Sequence, residues 1–350
     1  MVCDFEYTQT LDKRLVYTVL QNVQHIKMSN EVSGVEHSEN DEMRTKSLLT
    51  RSYVVDTNNN DDGTSCLTLS YTYNEVEEIA KSILGRVTCR PTLGIICGSG
   101  CGKLADGVEE KEVISYKDIQ GFPISTVPGH EGRLVFGKLR GKAVVLMQGR
   151  AHCYEGYSPQ KITLPVRTMK LMGVKVLFVT NAAGGINDKF SVGDIMIIKD
   201  HLNLAGFAGI NPLVGMNDER FGPRFPALSG AYDDELRKIA KETAADMGMT
   251  KFFQEGVYSM MVGPSFETVT ECKFLRLIGV DATGMSTIPE VTVARHCNMK
   301  VFGLSLITNK CIMEFESQSF ANHEEVLATG EMRSKDLQRF VAEMVSKIDV

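Results

Sequence analysis

Six short aliphatic runs limit this chain more than any other feature: 93–97 (LGIIC), 142–147 (KAVVLM), 174–179 (VKVLFV), 194–199 (DIMIIK), 255–262 (EGVYSMMV) and 300–307 (KVFGLSLI). Several are apolar almost without interruption, as expected of strands covered by helices on both faces rather than half-exposed ones. Between them, apolar residues recur at helical spacing over 74–85, 159–172, 232–248, 267–278, 289–297 and 334–348. The last segment sets Leu337, Phe340, Val341, Met344, Val345 and Ile348 on one face of a helix. Such alternation predicts an α/β fold: a single domain with a central mixed, largely parallel sheet flanked by helices.

The chain changes character near residue 70. Residues 1–70 hold 11 acidic residues against 6 basic ones, so −5 of the net charge of −6 sits there. The tract Asp56-Thr57-Asn58-Asn59-Asn60-Asp61-Asp62-Gly63 has too little apolar side chain to offset the entropy of ordering it, and it predicts a disordered linker. A short helix is expected within 10–27. The organisation read from this is an N-terminal extension, 1–70, followed by a catalytic domain, 71–350.

Charge and composition remove several function classes. A net charge of −6 argues against nucleic acid and anionic membrane surfaces, which favour clustered Lys and Arg. No apolar run approaches the ~18 residues of a membrane-spanning helix. The polar N-terminus MVCDFEYTQT does not read as a secretory signal. The nine scattered cysteines, with no CxxC among them, read as free thiols in a reducing compartment, so the expectation is a cytoplasmic protein without a metal.

In open α/β sheets, ligands bind beyond the carboxyl ends of the strands. Five such ends here are rich in glycine and polar residues: Gly98–Gly102, Gln148–Gly156, Thr180–Gly185, Gly263–Glu267 and Thr308–Lys310. The first loop lets backbone N–H groups approach an oxyanion, with Ser99 adding a hydroxyl, or is simply a tight turn. It completes neither a P-loop nor G-x-G-x-x-G, because Lys103 holds the third position. Arg150 and His152, one residue apart past a strand, would point the same way and grip an anion, or else form an unrelated surface pair. Glu267 and Asn309 lie in apolar surroundings, where each needs a partner: the backbone, or a ligand edge such as a purine. His323 follows Asn322, which forms a capping box with Glu325. At a helix N-terminus its imidazole stays neutral and suits a hydroxyl.

The segments VPGHEGRLVFG (127–137), QGRAHCYEGY (148–157), NAAGG (181–185), GPSFET (263–268), GMSTIPEV (284–291) and ITNK (307–310) together resemble the trimeric, vertebrate-type purine nucleoside phosphorylases, over about four-fifths of the chain. The resemblance implies a nucleoside phosphorylase-like domain, a homotrimer and no cofactor, with inorganic phosphate as co-substrate. It implies phosphate on Ser99, His130, Arg150, His152, Ser286 and the Ala182 amide. Ribose would lie against Tyr154, Met285 and His323, and the base against Phe266, Glu267 and Asn309. Phe225 would reach the neighbouring subunit's site. The implied reaction is phosphorolysis of inosine, guanosine and their deoxy forms to free base and (deoxy)ribose 1-phosphate, as in purine salvage. Catalysis would rest on Asn309, Glu267 and His152.

Two positions depart from the family's pattern. Thr283 stands where an aliphatic residue is usual, and Met261 is bulkier than the usual neighbour. A hydroxyl beside the base and a trimmed pocket predict retained inosine and guanosine activity with some tolerance of adenosine or a pyrimidine nucleoside. A methylthioadenosine phosphorylase would want an acid in place of Asn309. A nucleotide-dependent dehydrogenase would want the missing glycine fingerprint, and a non-catalytic nucleoside sensor would need no nucleophile site.

Overall fold

The computed structural model describes residues 71–318 and 323–350, without the side chain of His323. The chain divides after Ser65, and all described residues belong to its second part, Cys66–Val350. The helix expected within 10–27 and the tract 56–63 lie outside the described residues.

The strands are β1 (Leu93–Cys97), β2 (Glu109–Ser115), β3 (Arg133–Leu139), β4 (Lys142–Gln148), β5 (Val176–Gly185), β6 (Ile195–Leu202), β7 (Phe253–Met260), β8 (Ala282–Gly284) and β9 (Lys300–Lys310). The helices are α1 (Tyr73–Leu84), α2 (Pro159–Leu171), the single turn α3 (Leu204–Phe207), α4 (Asp234–Asp246), α5 (Val269–Leu277), α6 (Ile288–His296) and α7 (His323–Ser346). One sheet runs in the order β2-β3-β4-β1-β5-β8-β7-β6-β9. β5 also pairs in parallel with β9, so β5, β8, β7, β6 and β9 close on themselves. β1 lies parallel between β4 and β5, while β2–β3, β3–β4, β5–β8 and β6–β9 are antiparallel.

Every residue of β1 is buried. Its side chains alternate between two cores, Ile96 packing with α1, α2 and α6 and Ile95 packing with α4 and α7. That is the two-sided burial read from the uninterrupted aliphatic runs. Local signals start the helices. Thr72 caps α1 reciprocally with Glu75, and Thr268 caps α5 with Glu271, each side chain satisfying the other's orphan amide.

The predicted elements recur with small shifts, and the differences have physical reasons. β2 (EEKEVIS) and β3 (RLVFGKL) were not expected: β2 is an edge strand whose exposed acidic residues mask any alternation, and β3, interrupted by Gly137 and Lys138, takes its register from antiparallel pairing with β4. β8 is only three residues long and exists because β5 and β7 flank it. β5 and β9 run on through Thr180–Gly185 and Thr308–Lys310, beyond the ends expected at 179 and 307, because there they pair with each other. α7 begins at His323 rather than at 334.

Candidate active site

A cavity of about 390 Å³ lies at the carboxyl ends of these strands. All five glycine- and polar-rich strand ends reach it, joined by Thr283–Ser286, which runs from β8 toward α6, and by Thr126–Pro128. Ser99, Arg150, His152, Tyr154, Ala182, Phe266, Glu267, Thr283, Met285, Ser286 and Asn309 line its walls. Close packing behind the walls needs glycine. A Cβ on Gly100, whose φ is +77°, would come within 2.6 Å of the Gly330 backbone in α7. A Cβ on Gly184 would meet the Cys311 Sγ at 2.7 Å and crowd the Asn309 amide.

One end of the cavity is organised around Arg150. The side chain is only 2 % exposed, and Nη1 donates to Ser286 Oγ (2.8 Å) and Thr287 Oγ1 (3.1 Å), while Nη2 donates to the Thr180 carbonyl (2.7 Å). Nε lies 3.1 Å from Glu290 Oε1, an ion pair that lacks hydrogen-bond alignment. Glu290, in the first turn of α6, is buried as well, so the two charges hold each other where water cannot. Thr287 joins the network through Asn181, whose Nδ2 donates to its Oγ1 at 2.9 Å. Its backbone sits at φ 80°, ψ −50°, with the Ile288 amide donating to the Ser286 carbonyl. A β-branched residue is strained there, and the strain is local to the seryl–threonyl pair under Arg150.

The histidines of this end differ. His130 stands behind the wall, its Nε2 3.3 Å from Ser99 Oγ and its Nδ1 2.9 Å from the Arg150 carbonyl. Burial, helped by the nearby His152, pushes its imidazole down to about 4, so at neutral pH it orients Ser99 without adding charge. His152 Nδ1 lies 2.9 Å from Glu155 Oε1, which also accepts the His152 amide at 2.8 Å. Burial would raise the Glu155 carboxyl, but hydrogen bonds from His152 and from the Thr126 amide and hydroxyl outweigh it and hold the group at about 2. Glu155 therefore fixes the ring with the proton on Nδ1. The His152 ring stacks on Tyr154 (4.6 Å between centroids) and faces His130 (5.4 Å), a ladder leading from Ser99 toward Met285.

The other end carries Glu267, Thr283 and Asn309. Asn309, 6 % exposed, takes the Thr308 hydroxyl on its Oδ1 at 3.2 Å, which leaves its Nδ2 donors for a ligand. Burial raises the Glu267 carboxyl, opposed by its own backbone amide and by the Thr283 hydroxyl, which donates to Oε1 at 3.2 Å. The Thr283 hydroxyl is thus engaged by a carboxylate, and Met261 is not among the residues lining the cavity. Phe266 is partly exposed at the rim.

Besides His130, which stands behind the wall, two expected contributors are not seen in it. Phe225 is 88 % exposed and lies outside the cavity lining. The side chain of His323, with the Asn322 cap, falls outside the described residues. Four residues were missed by sequence reasoning: Asn181, Glu155, Thr287 and Glu290. Glu155 had a signal in its spacing three after His152, and Glu290 in being a lone acid within an apolar helix. Asn181 lay in a strand end already singled out, Thr180–Gly185, whereas Thr287 had no signal, since only tertiary packing brings it to Arg150. Among the described residues no group of His, Cys, Asp and Glu is arranged to hold a metal, and the seven described cysteines are unpaired.

Residues 92–346 match the family model of the phosphorylase superfamily. The chain is 55 % identical over 280 residues to the purine nucleoside phosphorylase of Bos taurus, covering 80 % of this chain and 97 % of that one. It is similar in structure to Schistosoma mansoni purine nucleoside phosphorylase in complex with adenosine, with a TM-score of 0.77 and 49 % identity over 80 % of this chain and 100 % of that one. It is also similar to isoform 2 from Schistosoma mansoni in complex with cytosine and ribose-1-phosphate, with a TM-score of 0.77 and 46 % identity over 80 % and 98 % of the two chains.

Proposed function

The chain belongs to the phosphorylase superfamily and, within it, to the purine nucleoside phosphorylases, and from that premise we propose how its residues divide the work. The reaction is phosphorolysis of a purine nucleoside, and the fold is that of its relatives. One observation carries the assignment of residues: a single cavity joins an anion-suited end, with Ser99, Arg150, His152 and Ser286, to an end with the Asn309 amide and the Glu267 carboxylate.

Inorganic phosphate is the co-substrate. It would be held by Ser99, Arg150, His152, Ser286 and the Ala182 amide, with His130 steering Ser99. No organic cofactor is invoked, and the ribose-1-phosphate bound by the schistosome isoform 2 supports a phosphate site of this kind. Cleaving N9–C1′ builds positive charge on the ribose and negative charge on the departing purine. Asn309 would donate Nδ2–H to N7, meeting charge that exists mainly in the transition state. Glu267 would accept N1–H of a 6-oxopurine. Phosphate would then capture C1′, giving ribose 1-phosphate and free base. Tyr154, Met285 and His323 would hold the ribose and Phe266 the face of the base.

The exposure of Phe225 supports its role in a neighbouring site, and so a homotrimer in which one protomer completes the next. Residues 1–70 are then an extension to the catalytic domain 71–350, a division supported by the match of nearly the whole bovine chain to only 80 % of this one. No helix among the described residues is long and apolar enough to cross a membrane. The assay is release of hypoxanthine from inosine. Release that depends on added phosphate, with ribose 1-phosphate as co-product, supports the reading, and release without phosphate overturns it.

A further inference from the structure

We propose that Thr283 is a positioning residue for base selection: its hydroxyl holds Glu267 as an ionised acceptor, turning the cavity toward 6-oxopurines and away from 6-aminopurines. The inference rests on the reading that Glu267 meets the N1 edge of the base, and it goes beyond that reading by assigning the charge state of Glu267 to a second residue. The departure from the family's pattern at this position suggested that the hydroxyl would widen specificity. Its contact with the carboxylate points the other way.

Thr283 lies in β8, paired on one side with Ser259 of β7 and on the other with Gly184 of β5, and is 1 % exposed. A β-branched side chain clamped in this way has little freedom at χ1, so Oγ1 stays within reach of Glu267 Oε1, 3.2 Å away. The donors that bear on the carboxylate are this hydroxyl and Glu267's own backbone amide. The titratable groups that bear on it are Glu271, in the first turn of α5, and the Cys272 and Cys311 thiols, none of which brings positive charge. Neutral donors alone therefore oppose the cost of burying this anion. A hydroxyl that donates to a carboxylate favours the anion over the acid.

The chemistry of the base makes that state decisive. A 6-oxopurine offers N1–H and needs an acceptor opposite it. A 6-aminopurine offers a lone pair at N1 and needs a donor, which Glu267 supplies only when protonated. Removing the Thr283 hydroxyl should therefore weaken inosine and favour adenosine together. A merely structural role would lower both.

The test compares kcat/KM for inosine and adenosine from pH 5 to pH 8 in the full-length enzyme, with Thr283→Val, Thr283→Ser and Glu267→Ala. In Thr283→Val the acid limb of the inosine profile should move up by about one pH unit. The adenosine-to-inosine ratio, which cancels the titration of phosphate common to both, should rise about tenfold near pH 6. Thr283→Ser should restore both. Needing no variant, the wild-type ratio should itself rise as pH falls; a ratio flat with pH overturns the proposal. So does a Thr283→Val profile superimposing on wild type: if Glu267→Ala meanwhile loses inosine turnover, the base assignment stands and only this inference falls. Full inosine activity in Glu267→Ala sinks the assignment as well.

Discussion

Asn309 and His130 show how one side chain's surroundings set its use. The Thr308 hydroxyl, 3.2 Å from Oδ1, orients the Asn309 amide so that its Nδ2 faces the cavity as a donor. A preorganised donor aimed at developing charge is worth about 10²–10³ in rate. Asn309→Ala should therefore lower kcat for inosine by that factor, and near-normal turnover by steady-state assay would contradict the role given to it. His130 contributes to pH dependence. Its native imidazole is pushed down to about 4, whereas an unfolded histidine titrates near 6.5. Between these values the unfolded chain binds a proton that the native state refuses. The stability tied to neutral His130 is complete above about pH 6.5 and lost as the pH falls toward 4. Half-buried His201 and buried His296 shift in the same direction. The thermal midpoint should drop through this window, and His130→Asn should make the drop shallower.

At the scale of elements, α6 is the piece on which the anion end depends. Its first turn supplies Glu290 to Arg150, and the strained Thr287 just before it supplies a hydroxyl to the same guanidinium. Removing one partner of a buried pair leaves the other charge uncompensated, at about 3–5 kcal/mol. Glu290→Ala should lose stability of this size in chemical denaturation and should raise the KM for phosphate as Arg150 relaxes. A loss under about 1 kcal/mol would show that Arg150 finds another partner. The helix itself was legible from its apolar residues, and a lone acid among them marked Glu290 as needing a partner, but that the partner is Arg150 was not legible, because the two lie 140 residues apart.

At the scale of the whole molecule, Phe225 is an aromatic side chain with little to pack on in its own protomer beyond Arg224, whose guanidinium lies 5.7 Å from the ring. If it completes a neighbour's site, Phe225→Ala should raise the KM for inosine about tenfold, in line with losing one buried aromatic contact, and leave protomer stability nearly unchanged. Kinetics read beside light scattering separate this from loss of the trimer: an unchanged KM in an intact trimer would remove Phe225 from the pocket.

The sequence by itself determined the alternation of strands and helices, the burial of the sheet on both faces and the strand ends where ligands gather. These follow from periodicity and turn chemistry, which act over a few residues. It also supplied the residues by which the family is known. Only the tertiary structure decided that β5 and β9 pair, that Arg150 is tied to Glu290 and that Thr283 spends its hydroxyl on Glu267. Those contacts bring together separate elements: β5 with β9, the segment after β4 with the first turn of α6, and β8 with the segment before α5, so no local pattern records them.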